Sequence, residues 1–266
     1  EMNLPMILMN VAQETQKTGL WASFVNFLSS ILEGLNTLSG QIPEPFGGYG
    51  LAVILFTILM RFILLPLDLK SRKANQKMQE VQPLIAEINQ KYKNDPDKLN
   101  KKTMELYQKH KVNPMGGCLP ILIQMPLFFA MFAALRSISD REVAMGSINA
   151  FLWIKNIWQP DSPLKSITGA SIGLLGQGFN GLFILPLLSG VTSYYQMKLT
   201  QPKGGNEKMK GFSTIMPLMS VWFCTMYTAS FAIYWVTANI FQIAQSLILK
   251  KRTDLNELEE RNGDQK

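Results

Sequence analysis

One guanidinium interrupts an aliphatic run. Arg61 stands inside Leu51 to Leu67, LAVILFTILMRFILLPL, and a charge buried in a bilayer costs about 2.5–3.5 kcal/mol on insertion scales. Thr57 lies one turn earlier on the same helical face. Later apolar runs carry polar residues at helical spacing. Gln124 is isolated in the second run, and Ser189, Thr192, Ser193 and Gln196 punctuate the third. Trp235, Asn239, Gln242 and Ser246 follow one another at steps of four, three and four in the last. Such a set can solvate and orient a polar stretch of another chain, but it offers no nucleophile and base for covalent chemistry.

With the spans drawn as below, Arg61 is their only ionisable acid or base, so no carboxylate is expected beside it. Carbonyls, hydroxyls, amides or water must then solvate it, in a polar cavity or by snorkelling to the cytoplasmic interface. Leu67 is only six residues on, roughly 9 Å at 1.5 Å per residue, so partial snorkelling is within reach. A polar cavity in the inner half of the membrane is the favoured expectation. It would attract anionic groups more strongly than bulk water allows. Arginine suits such a place because its charge survives burial and its fork accepts several poses. For each amide or hydroxyl alone, the plainer alternative is a hydrogen bond between helices, worth about 0.6–2 kcal/mol.

Most catalytic classes lack material. His110 is the only histidine and lies in a lysine-rich stretch, so neither a histidine triad nor a multi-histidine metal site is expected. Cys118 and Cys224 both fall in apolar runs, where a reduced thiol acts as a small hydrophobe and no disulfide framework is expected. No enzyme activity, metal or cofactor is assigned. The 266 residues are 47% hydrophobic with a net charge of +7 and a mean hydropathy of +0.07, which suits a polytopic membrane protein with polar loops. That charge would also suit nucleic acid or anionic lipid, so the placement of the lysines decides.

A bilayer core about 30 Å thick needs roughly 20 helical residues. The expected fold is all-α, with five spans at 49–67, 113–135, 178–197, 212–227 and 229–249, the last two joined as a tight hairpin. Segment 1–48 precedes them and opens on Glu1, as in a mature or trimmed form. Within it Trp21, Phe24, Leu28, Ile31, Leu35 and Leu38 recur at steps of three and four. This pattern fits an amphipathic helix on a membrane surface and equally one packed on the membrane domain. Pro43, Pro45, Gly47, Gly48 and Gly50 then break the chain before the first span.

Loop charge orients the spans. Segment 68–112 holds eleven basic residues, among them Lys70, Arg72, Lys73, Lys77, Lys101 and Lys102. Segment 198–211 adds Lys198, Lys203, Lys208 and Lys210, and the tail 250–266 opens Lys250, Lys251, Arg252, whereas 136–177 carries few. By the positive-inside rule the N-terminus is outside and the tail cytoplasmic. Nucleic acid is therefore not an expected substrate. In 68–112, Ala74, Met78, Val81, Ile85, Ile88 and Tyr92 form one stripe. Leu99, Thr103, Leu106 and His110 form another beyond the turn signal Asn94-Asp95-Pro96-Asp97. Two such helices make a cytoplasmic hairpin, with Pro83 kinking the first. Its lysines read as a solvated face or, more sharply, as a landing site for a ribosome or targeting factor. Phe151, Trp153, Ile154, Ile157 and Trp158 in the outer loop suit an interfacial belt.

Several motifs occur together in order: the span holding Arg61 followed by LLPL, the cytoplasmic hairpin, NPMGGCLP at 113–120 running into IQMPLF at 123–128, and YWVTAN at 234–239. As a set they resemble the YidC/Oxa/Alb family of membrane-protein insertases over most of Tyr49 to Leu249. The resemblance implies a five-helix core around a hydrophilic groove, open to cytoplasm and lipid and closed outside. It assigns Arg61, Gln124 and Trp235 to that groove, beside Thr57, Asn239 and Gln242 from the spacing above. Nascent membrane proteins are the implied clients, with lipid, ribosome, signal recognition particle receptor and Sec translocon as implied contacts, in a bacterial cell membrane. Two departures stand out. No lipoprotein cysteine or large periplasmic domain is visible, and Asp254, Glu257, Glu259, Glu260 and Asp264 make the tail acidic, so ribosome contact is not expected through it.

The rival class is a small-solute transporter or channel. It would need coupling or selectivity groups at mid-membrane and usually an internal repeat. The spans show neither.

Overall fold

The computed structural model describes residues 19–112, 119–161, 180–200 and 207–263. Its helices are α1 (Leu20–Ser39), α2 (Gly48–Lys91), α3 (Pro96–Lys109), α4 (Leu119–Ala144), α5 (Ile184–Thr200), α6 (Glu207–Met226) and α7 (Ala229–Gly263). Among the described residues the only β pairing is an isolated bridge, Phe151 with Ile154. By length and composition, Gly48–Arg72 in α2 and Ala229–Leu249 in α7 can cross a membrane, and Ile215–Met226 in α6 is a shorter apolar helix. The motif NPMGGC at 113–118 lies outside the described residues.

The chain divides into two compact units. The first contains α1, the start of α2, most of α4, the loop that follows it and the first residues of α7. Helix α1 buries Ala22, Val25, Leu28 and Leu32, a stripe at steps of three and four. Phe24, Phe27 and Leu38 remain exposed. The packed face therefore differs from the expected one, because the smaller Ala22 and Val25 permit close approach while the bulkier residues form a second apolar face. Phe151, Ile154, Ile157 and Trp158 are buried, which corrects the expectation of an interfacial belt. Trp158 meets Tyr49 edge-on at 5.0 Å. Phe151 comes so close to Gly50 that a Cβ there would fall 2.1 Å from its Cγ, so only glycine fits. Phe132 packs edge-on against Tyr227 at 4.9 Å and Phe231 at 5.6 Å, a geometry that adds about 0.5–1.5 kcal/mol per pair beyond area burial.

The second unit contains the rest of α2, with α3, α5, α6 and the rest of α7. Helix α2 continues through Pro66 and Pro83, although an internal proline removes a hydrogen bond and costs about 3 kcal/mol. Burial offsets that cost: Val81, Ile85 and Val112 form a small core with Met78, Leu106 and Tyr107 packed against it. Asp95 starts α3 by accepting from the backbone N–H of Lys98 at 3.1 Å, and Pro96 fills the first turn. Helices α5 and α6 pack closely at Gly190, where a Cβ would fall 2.4 Å from Val221 Cγ2.

Candidate functional site

The polar stripes meet in the second unit. Trp235 Nε1 donates to Ser193 Oγ at 3.1 Å, and Asn239 Nδ2 donates to Ser193 Oγ at 2.9 Å and Thr192 Oγ1 at 3.2 Å. The side-chain amides of Gln196 and Gln242 lie 2.8 Å apart. Partner numbers rise together along the two helices, so α5 and α7 run parallel through this contact. The same holds for α2 and α7, where Phe62 packs edge-on against Phe241 at 5.4 Å and Arg72 bonds to Ser246. An even number of chain reversals, with an odd number of spans between, gives this parallelism.

Arg61 is only 3% exposed and Thr57 1%. The Gln242 amide lies 2.9 Å from Nη1 and 2.8 Å from Nη2 of Arg61. A guanidinium can only donate, so the amide oxygen of Gln242 faces it and accepts both bonds. The amino group of Gln242 then points to the side-chain amide of Gln196, 2.8 Å away. A neutral relay thus holds the cation, leaving its charge uncancelled by that contact. Tyr234 and Asp68 also interact with Arg61 electrostatically.

Asp68 changes one expectation. The apolar helix continues past Leu67, and the stretch able to cross a membrane reaches Arg72, so a carboxylate does share the span with Arg61. Arg72 itself was expected on the cytoplasmic hairpin. It donates from Nη1 to Ser246 Oγ and from Nη2 to the Gln242 carbonyl at 3.4 Å. The site therefore contains two arginines, one aspartate and the amides of Gln196 and Gln242. Asp68 and Arg72 are the members that spacing alone did not assign to it. The signal was present in the sequence, since 57, 61, 68 and 72 fall on one face of a helix.

Gln124 is half-buried on α4 in the first unit. Lys70, Lys77, Lys101 and Lys102 are exposed, while the side chain of Lys73 lies outside the described set. Lys102 Nζ sits 2.6 Å from Glu105, and this hydrogen bond raises the lysine pKa and lowers that of the glutamate. Among the described residues no cluster of histidine, cysteine and carboxylates could hold a metal ion.

A second charged cluster occupies the first unit. Arg141 Nη1 meets Glu33 Oε1 at 2.6 Å and its Nη2 donates to Tyr49 Oη at 3.3 Å. Tyr49 Oη donates in turn to Glu142 Oε1 at 3.3 Å, and Asn149 Nδ2 donates to Glu142 Oε2 at 3.4 Å. The hydrogen bond to Glu33 pushes the Arg141 pKa up. These contacts fasten α1 to the start of α2 and the end of α4.

Residues 41–257 match the family described as 60Kd inner membrane protein. Over 217 residues the chain is 34% identical to the membrane protein insertase YidC of Clostridium tetani, which spans 80% of this chain and 87% of that protein. It is 36% identical over 206 residues to the YidC of Fusobacterium nucleatum, covering 77% of this chain and 88% of the relative. The YidC of Chlorobaculum parvum is 39% identical over 198 residues, 74% of this chain but only 32% of that longer protein. A crystal structure of an active YidC insertase with the first transmembrane domain resolved has a similar fold, with a TM-score of 0.59 at 23% identity over 91% of this chain and 50% of that one.

Proposed function

The chain belongs to the YidC/Oxa/Alb family of membrane-protein insertases, and from that premise we propose that it inserts nascent membrane proteins by a non-enzymatic route in which Arg61 receives a polar segment of the incoming chain. The observation that carries this reading is the holding of the buried Arg61 by the neutral Gln242 amide. In a medium of low dielectric, a positive charge compensated this way attracts a carboxylate or a line of peptide carbonyls far more than it would in water. The barrier to moving a short hydrophilic tail across the bilayer falls accordingly, because part of its lost hydration is replaced by fixed donors.

Five spans accommodate this role, at the boundaries drawn from the sequence except that the first runs on to Arg72 and includes Asp68. The parallel course of α2, α5 and α7 supports an alternating path with one span between each pair. The basic loops put the N-terminus outside and the tail in the cytoplasm. Thr57, Asn239 and Trp235 belong to the same reading as lining residues, although the bonds of Asn239 and Trp235 to α5 also make them a seam between helices. Gln124 enters as the contribution of α4 to a hydrophilic groove. The exposed Lys70, Lys77, Lys101 and Lys102, with Lys73, would meet clients or a ribosome first, and a signal recognition particle receptor or Sec translocon could dock on the same hairpin.

Reconstituted vesicles test the reading. Insertion of a single-span guest with an acidic N-terminal tail should be lost with Arg61→Ala and largely kept with Arg61→Lys. Undiminished insertion by the alanine variant would remove the charge from the mechanism.

A further inference from the structure

Asp68 is a carboxylate that the insertion reading leaves without a task. It follows Arg61 by seven residues and precedes Arg72 by four, spacings that put all three on one face of α2. Along the axis it lies roughly 10 Å from Arg61 and about 6 Å from Arg72 at 1.5 Å per residue. Arg61 donates to Gln242, and Arg72 to Ser246 and the Gln242 carbonyl. Oδ2 of Asp68 is buried without a hydrogen-bond partner. Asp68 interacts electrostatically with both guanidiniums.

The surroundings point to a site that takes a polar guest. Ser71 Oγ and both amide atoms of Gln245 are also buried and unpartnered, and Gln245 is 6% exposed. In the chain Ser71 adjoins Arg72, and Gln245 adjoins Ser246. An amide with donor and acceptor both open matches a peptide group.

We propose that Asp68 is an intrinsic counter-ion that sets the charge selectivity of this site: it reduces the pull of Arg61 and Arg72 on acidic stretches of an incoming chain, so that acidic tails are admitted without being trapped. The inference rests on Arg61 being the receiving group. Two guanidiniums and one carboxylate leave one net positive charge, and neutralising Asp68 leaves two. One unit charge at about 8–10 Å, with an effective dielectric between about 20 and 80, alters capture of an acidic segment by roughly two- to thirty-fold.

The test uses the full chain in lipid nanodiscs and two single-span guests carrying a photocrosslinker, one with an aspartate-rich tail and one with the matching asparagine-rich tail. The readout is the ratio of acidic to neutral guest captured. Asp68→Asn, which preserves shape, should raise that ratio several-fold, and Asp68→Glu should keep it near the starting value. Asp68→Ser, also neutral, should agree with Asp68→Asn and stands in for it if the asparagine variant does not reconstitute. A ratio that stays level or falls in the neutral variants overturns the proposal, as does a rise of equal size with Asp68→Glu. Arg61→Ala in the same assay separates the two readings. If it lowers the ratio while neutral residues at 68 leave it level, only the counter-ion role fails; if it leaves the ratio untouched, the receiving role of Arg61 fails.

Discussion

Arg61 and Arg141 carry the same charge into opposite settings. Arg141 is about half exposed and meets Glu33 at 2.6 Å, with Tyr49 and Glu142 completing a chain of matched partners. Arg61 is buried and held by an amide. The first arrangement uses charge to fasten elements and leaves little to offer a third group. In the second the amide holder is neutral, and Tyr234 and Asp68 act on the charge electrostatically. Under the proposed function one residue type serves as a clamp in the first unit and as a receptor for a polar guest in the second, and the charge of the nearest acceptor is the proposed difference.

The largest expected effect comes from changing that acceptor. Gln242→Leu would strip the buried guanidinium of its carbonyl and destabilise the fold by about 2–4 kcal/mol, read as a lower unfolding temperature in detergent and reduced accumulation in membranes. Gln242→Glu would convert Arg61 into a clamp like Arg141. Its stability should stay near the starting value, while insertion of acid-tailed guests falls about ten-fold, equivalent to about 1.4 kcal/mol. Full insertion with the glutamate variant would break the contrast between the two arginines.

The opposite cluster should respond weakly. Glu33 and Arg141 are 40% and 48% exposed, and ion pairs of that kind contribute about 0.2–1 kcal/mol. Glu33→Gln should therefore loosen α1, seen as faster hydrogen exchange across 20–39, without altering the preference between acidic and neutral tails. A change in that preference would show that the clamp also steers guests.

The smallest effect is one of pH on the hairpin. Hydrogen bonds from Lys98 hold the Asp95 carboxyl below the usual carboxylate range. Because its folded pKa is depressed, the contribution of this cap is fully present above the unfolded value of about 3.9 and is lost as pH falls through the folded value. Amide exchange at the start of α3 should be insensitive to this group from pH 8 to pH 5 and accelerate only in stronger acid. Asp95→Ala should remove that acid dependence.

The residues of the candidate site were partly legible in the sequence. Arg61 in its apolar run and the stripes through Ser193, Gln196, Asn239 and Gln242 follow from helical periodicity, and the structure joins those stripes. Asp68 and Arg72 were not assigned, because Pro66 and the first lysines of the following segment mark an ordinary end to a span. The helix instead passes through Pro66, since a proline removes one hydrogen bond while Ser71 beyond it is buried and Arg72 is anchored. Phe151 and Trp158 misled for another reason. Composition cannot separate aromatics at a lipid interface from those packed under a loop, and the fit of Phe151 to Gly50 is a long-range fact. Helix α1 has two apolar faces, and only contact decides which one packs.

Tail-charge dependence in reconstituted vesicles addresses the central claim most directly: guests identical except for an acidic, neutral or basic N-terminal tail are inserted by the unaltered protein, by Arg61→Lys and by Arg61→Ala. A preference for the acidic tail that persists with lysine and disappears with alanine is the predicted result. The same ranking of tails by all three proteins would contradict it.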